Sequence, residues 1–163
     1  MGASQRVRLI GTFRVPTTTG DALQLFTPTG ERAWAEGWNP VFPADPVAGE
    51  TERGTTFATD HHGVVTTWTV IRYEPGEVIE YARFTADDRA GLVQVRCLAA
   101  ADGSTIATVS YDLTALQPDA NAALEAFADH FPQFLAGWQD AIESAIAVEV
   151  DRPRNAEVWR PEP

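Results

Sequence analysis

Lysine is absent from the 163 residues; all twelve basic side chains are arginines, set against 23 carboxylates for a net charge of −11. So anionic a chain has no electrostatic footprint for nucleic acid, and an anionic membrane surface repels it, so neither is expected as a partner. Cysteine is almost absent too. Cys97 stands alone, which excludes an internal disulfide and fits a reducing compartment. Within a Val/Leu-rich strand it reads as packing rather than as a catalytic thiol. No apolar run approaches the ~20 residues that span a bilayer, and Met1 to Arg8 lacks the apolar stretch of a signal peptide. A cytoplasmic location is therefore expected. Also missing are a Ser-His-Asp order, a glycine-rich nucleotide fingerprint, zinc-ligand spacing, internal repeats and low-complexity segments. No metal and no cofactor are expected.

What is present is apolar material: 44% of residues are hydrophobic, too many for disorder. The length suits one domain, whose core needs no metal or disulfide staple. Arginine in place of lysine, with abundant Ala, Gly and Pro, suggests a GC-rich genome. A single domain over 1–150 and a polar tail over 151–163 are expected.

The period of the hydrophobic pattern marks the elements. Arg6 to Val15 alternates, with Val7, Leu9, Phe13 and Val15 on one face, and Pro16 ends this strand. Thr18 and Asp21 read as an N-cap and its first-turn partner for a short helix. Pro28 opens a second helix expected to run through Arg32 and Trp34 to near Gly37. The prolines Pro40, Pro43 and Pro46 mark a loop. Five strands follow, expected at Arg53–Thr59, Val64–Tyr73, Val78–Thr85, Leu92–Ala99 and Thr105–Leu113. Turn residues separate them and no crossover helix intervenes, so the sheet is antiparallel. After Pro118 the period turns helical for nearly thirty residues. Leu124, Phe127, Phe131, Phe134, Leu135, Trp138, Ile142 and Ile146 form one stripe, and Pro132 is expected to kink the helix.

A curved sheet can bury its apolar face here only by wrapping the terminal helix. That order resembles the α+β helix-grip fold of the START-related (SRPBCC) superfamily: six strands, or seven if the proline-rich stretch pairs, around a long C-terminal helix, with two short helices after strand one. Local stretches are similar to a bacterial subgroup of polyketide cyclase/dehydrase-like and lipid-transfer-like proteins. They include Phe26-Thr27-Pro28 through Gly30-Glu31-Arg32, Gly37-Trp38-Asn39-Pro40, Gly54-Thr55-Thr56-Phe57, Thr66-Thr67-Trp68-Thr69-Val70, Arg72-Tyr73-Glu74-Pro75-Gly76, Ile79-Glu80-Tyr81-Ala82-Arg83 and Tyr111-Asp112-Leu113-Thr114-Ala115-Leu116. The likeness runs from about Val7 to about Ile146. It implies a small apolar ligand held between sheet and helix. The glycine-rich loop of the pollen-allergen branch is replaced by the tight hairpin Asp60-His61-His62-Gly63.

Alternation gives the candidate ligand-binding residues: Phe57, Trp68, Tyr81, Arg83, Val95 and Tyr111 from the strands, opposite Phe127, Phe131, Phe134 and Trp138 from the helix. Trp34, Trp38 and Phe42 would frame the entrance. The strand of Tyr81 has two phases. In one, Arg83 reaches the cavity mouth and anchors a carboxylate or enolate oxygen; in the other it snorkels to water. Arg83, His130 and Tyr81 are the candidate catalytic groups. His130 lies to the side of the helix stripe, where it either flanks the pocket as a base or faces solvent. His61 and His62 point to opposite faces and do not chelate one ion. The leading expectation is binding, or carriage, of a small hydrophobic or aromatic, lipid- or polyketide-like molecule. The alternatives are a cyclase-, aromatase- or dehydratase-like enzyme and a partner-protein-binding domain resembling chaperone activators. Homodimer formation stands open.

Overall fold

The computed structural model describes residues 2–151; the part of the expected polar tail from 152 to 163 lies outside the described residues. Six strands form one antiparallel sheet in the order β1-β6-β5-β4-β3-β2. They are β1 (Arg6–Val15), β2 (Thr56–His61), β3 (Val64–Glu74), β4 (Val78–Thr85), β5 (Arg89–Ala99) and β6 (Thr105–Ala115). The expected curved sheet of the helix-grip fold is thus present, with six strands. The proline-rich stretch contributes only an isolated bridge between Val41 and Ala58. Strict alternation is plainest in β6, where Thr105, Ala107, Val109, Tyr111, Leu113 and Ala115 are all buried and the residues between them are not.

The first short helix, α1 (Thr19–Gln24), starts where expected, the Thr18 hydroxyl accepting the Asp21 N–H at 3.4 Å. The second differs from expectation. It is one 3₁₀ turn, Gly30–Ala33, that ends before Trp34. Gly30 lies so close to α1 that a Cβ there would sit 1.8 Å from the Gln24 carbonyl oxygen. The chain is pinned behind it, for the Trp34 indole N–H donates to Leu25 O and that of Trp38 to Pro28 O, each at 2.7 Å. These bonds fold the segment back on itself instead of letting it extend as a helix.

The expected kinked helix is two helices, α2 (Asn121–Asp129) and α3 (Phe131–Val150), meeting at His130. Pro132 has no N–H for the carbonyl four residues back and its ring crowds that carbonyl, so the helix stops and restarts one residue earlier with proline in its first turn. α3 packs closest to the β1 edge. Gly11 makes this approach: a Cβ there would meet Leu135 Cδ1 at 2.4 Å. Because the helix grips that side, the segment from Trp34 to Phe42 must cover the β2–β4 side. No described helix is long and apolar enough to cross a membrane.

Candidate functional site

Two neighbouring rows of inward side chains cross the sheet. One row runs Trp68, Arg83, Gly91, Leu113, Val7; the next runs Val70, Tyr81, Val93, Tyr111, Leu9. Register settles the phase of β4: Ile79, Tyr81 and Thr85 are buried, so Arg83 shares their face and points inward. Gly91 beside it has no side chain, which leaves room for the guanidinium.

Arg83 lies with Cζ 5.1 Å from the centroid of the Trp68 ring, and one terminal nitrogen donates to the Thr85 hydroxyl at 2.9 Å. Its Nε is fully buried and has no hydrogen-bond partner among the described residues. Burial lowers its pKa, opposed by Tyr111 and reinforced by Arg89. An arginine so placed remains a cation, with an unsatisfied N–H costing about 1–3 kcal/mol.

The aromatics form two covers. Trp38 packs on Phe57 and Trp68 (centroids 6.0 and 5.5 Å), and Phe42 packs on Phe57 at 5.6 Å. Trp34 reaches the helix instead, 5.2 Å from Trp138. On the helix side, Phe127, Phe131, Phe134 and Trp138 ring Tyr111 at 5.4 to 6.4 Å. Phe57, Phe131 and Val95 are core residues, 0%, 3% and 3% exposed. Phe134 faces the interior yet keeps 36% of its surface accessible, and Phe127, Trp138, Trp34 and Trp38 are half-buried. These partly accessible inward rings mark the candidate cleft between the sheet and α3. Its mouth holds Arg89, whose Cζ lies 5.6 Å from the Phe127 centroid and whose Nε pairs with Asp88 at 2.9 Å.

Tyr81 does not offer its hydroxyl to the cleft, since it donates to the Phe26 carbonyl at 2.8 Å. Trp68 likewise donates its indole N–H to Thr59, at 2.9 Å. Tyr111 differs: it is buried, and no hydrogen bond to its hydroxyl is found among the described residues. Burial pushes its pKa up, and the nearby Glu31 charge adds to this.

Glu31 is the group that sequence reasoning missed. It sits in the 3₁₀ turn, and its charge acts on both Tyr81 and Tyr111. Those tyrosines stand two strands apart in one row, about 10 Å by strand spacing. No hydrogen bond to it is found among the described residues, and burial raises its pKa well above the usual carboxylate range. By accessible surface Glu31 is only half-buried. No sequence signal marked it, because an acid after Pro28 in an expected surface helix reads as solvated charge.

His130 is exposed at the α2–α3 joint with Nδ1 2.9 Å from the Ala126 carbonyl, away from the cleft. His61 and His62 are exposed on the β2–β3 turn, and Asp60 accepts the Gly63 N–H there at 2.7 Å. Cys97 is buried, its pKa pushed up to about 11 by burial. A separate open groove of ≈ 1100 Å³ lies between α1, the 3₁₀ turn and the C-terminal half of α3; Trp34 is the one candidate residue that lines it.

No family model matches the sequence, and no curated protein does. Solved structures do match in fold. A protein from Mesorhizobium loti is 16% identical with a TM-score of 0.65, covering 85% of this chain and 98% of its own. Norcoclaurine synthase from Thalictrum flavum, in complex with dopamine and hydroxybenzaldehyde, is 11% identical with a TM-score of 0.61, covering 93% and 91%. The Aha1 dimer from Colwellia psychrerythraea is 12% identical with a TM-score of 0.61, covering 84% and 96%. At these identities the likeness establishes the helix-grip fold.

Proposed function

We propose that this protein binds a small, flat hydrophobic or aromatic molecule, lipid- or polyketide-like, in the cleft between the sheet and α3. The observation that carries the reading is Arg83: an inward cation whose Nε has no partner among the described residues, stacked on Trp68 beneath inward rings that keep accessible surface. A site that orients an apolar ligand through one or two polar groups has this composition. That norcoclaurine synthase, a protein of the same fold, is seen with small aromatic molecules supports the reading. The Aha1 dimer keeps a homodimer within the proposal.

Two probes with one scaffold test it: N-phenyl-1-naphthylamine, which is neutral, and 1-anilinonaphthalene-8-sulfonate, which adds an anion. Both are expected to fluoresce on binding. Arg83→Met should weaken the sulfonate about 10- to 100-fold relative to the neutral probe, the range of a charge-assisted hydrogen bond. Equal losses for both probes would remove Arg83 as the anchor, and failure of the wild-type protein to bind either would remove the cleft.

A further inference from the structure

β1 is the outer strand on one side of the sheet and pairs only with β6. The Ala115 N–H donates to the Gln5 carbonyl at 2.8 Å, and bonded pairs alternate along an antiparallel ladder. The odd-numbered residues of β1 therefore bond β6, while Arg6, Arg8, Ile10, Thr12 and Arg14 turn their N–H and C=O groups outward. The parity holds on the far side of β6. There Leu116 donates to Asp88 and Ala100 to Ser104, so the even-numbered residues of β6 face β5. All five outward residues of β1 are exposed, Ile10 by 72%, and no hydrogen bond from their backbone N–H groups is found among the described residues. The opposite edge is partly closed: Val41 exchanges both backbone hydrogen bonds with Ala58 of β2, each at 2.9 Å.

Two features beside the open edge select its occupant. The outer face of β1, β6 and β5 carries Arg6, Arg8, Arg14 and Arg96 against Asp112, in a chain of net charge −11. Arg6 is paired with Asp112 and Arg14 with Asp102 of the β5–β6 turn, each at 2.7 Å. Arg8, however, reaches Asp112 only at 3.6 Å with 73% of its side chain exposed, and Arg96 has no ion-pair partner among the described residues. On the inner side a groove of ≈ 230 Å³ lies between β1 and α3, walled by Gly11, Phe13, Phe131, Pro132, Leu135 and Ala136.

We propose that β1 takes up an extended acidic segment of a partner protein as a further antiparallel strand. Its alternate Asp or Glu side chains lie over the arginine face, and the side chains between them enter the groove against α3. The pattern follows from sheet geometry. Residues directly opposite one another share a face, so whatever faces Arg6, Arg8 and Arg14 lies on their side and its neighbours point inward. Only a polypeptide presents N–H and C=O groups at the strand repeat, so the ladder itself selects a protein segment over other polyanions. A second copy of this chain fits worse. Two-fold pairing about Ile10 sets Arg6 of one copy against Arg14 of the other, and like charges directly opposite are destabilising. The edge is separate from the cleft, and the proposal stands whether or not the cleft binds a ligand.

The test uses a fluorescein-labelled peptide of alternating Glu and Val, matched to β1 in length, with the isotope-labelled protein at low salt. Amide hydrogen exchange is read by NMR and affinity by fluorescence anisotropy. In the free protein the amides of Arg8, Ile10 and Thr12 should exchange fast and those of Leu9 and Gly11 slowly. Saturating peptide should slow the first three by about tenfold or more. Ile10→Pro removes an outward N–H but no bond to β6, and should weaken binding about tenfold. Arg8→Glu, a substitution of an exposed side chain, should also weaken it about tenfold at low salt. A control peptide with its Glu and Val residues in two blocks should bind more weakly than the alternating one. Binding without protection of those three amides, or equal binding of the block peptide, overturns the added strand. Unchanged affinity in Arg8→Glu overturns the acidic partner. Protection of the same amides that grows with the concentration of the protein alone gives the edge to a second copy and overturns the proposal too.

Discussion

Replacing Glu31 by Gln should make the protein more stable at neutral pH and should flatten its stability between mildly acidic and neutral conditions. Glu31 has a pKa raised by burial in the folded state, while in the unfolded chain it titrates near the ordinary value of about 4.3. Between those two values the folded state holds more proton than the unfolded one, so stability falls as pH rises through that window. The contribution is fully present below pH ~4.3 and is lost as pH climbs past the folded value. Each pKa unit of elevation is worth about 1.4 kcal/mol. For a domain of this length that corresponds to roughly 3–6 °C in melting temperature. Glutamine keeps the shape and cannot ionise, so the variant should match wild type near pH 4 and exceed it increasingly toward pH 8. The carboxylates with the opposite shift, half-buried Asp112 held by Arg6 and exposed Asp102 held by Ser104, act only as pH falls below about 4. Calorimetric melting of both proteins from pH 4 to 8 decides it. Parallel curves, or a variant less stable at pH 8, would refute the burial of the Glu31 carboxyl.

Three further perturbations follow from particular contacts. Gly91→Ala should destabilise by about 1–3 kcal/mol or more, because the added Cβ meets the Asp112 carbonyl oxygen at 1.8 Å; an unchanged melting temperature would contradict the close β5–β6 approach. Tyr81→Phe should cost about 1–3 kcal/mol in urea unfolding by leaving the Phe26 carbonyl without its donor, and a neutral effect would show that water replaces the hydroxyl. Phe134→Ser removes a ring that is already 36% exposed, so it should lower affinity for N-phenyl-1-naphthylamine about tenfold at a stability cost below that of a fully buried Phe; unchanged affinity would place the probe elsewhere.

Much of the fold was legible in the sequence because its signals are local. β1 and β4 occupy the expected residues, Arg6–Val15 and Val78–Thr85. In the first, alternation ends at Pro16; in the second, turn residues flank both ends. β2 begins later than expected, at Thr56, because Gly54 takes a positive φ of 96° and donates to the Val70 carbonyl as the chain enters the sheet. The helical stripe was read correctly as a face, but not its break at His130, since a proline announces a disturbance without saying whether the helix bends or restarts.

The site was less legible, for reasons that are tertiary. Alternation left the phase of Arg83 open until Tyr81 and Thr85 were seen to be buried beside it. The indole N–H groups of the candidates Trp34, Trp38 and Trp68 are spent on the framework, on Leu25, Pro28 and Thr59, which alternation does not show. Glu31 could not be found from spacing at all. Its burial depends on the chain folding back after α1, which is set by Gly30 against the Gln24 carbonyl and by two tryptophan hydrogen bonds.

Intermolecular nuclear Overhauser effects between bound N-phenyl-1-naphthylamine and the protein test the cleft most directly. Contacts to the ring protons of Tyr111, Phe134 and Trp138 are the predicted result. Contacts confined to Thr17, Leu25 and Ile146, which line the separate groove beside α1, would contradict it.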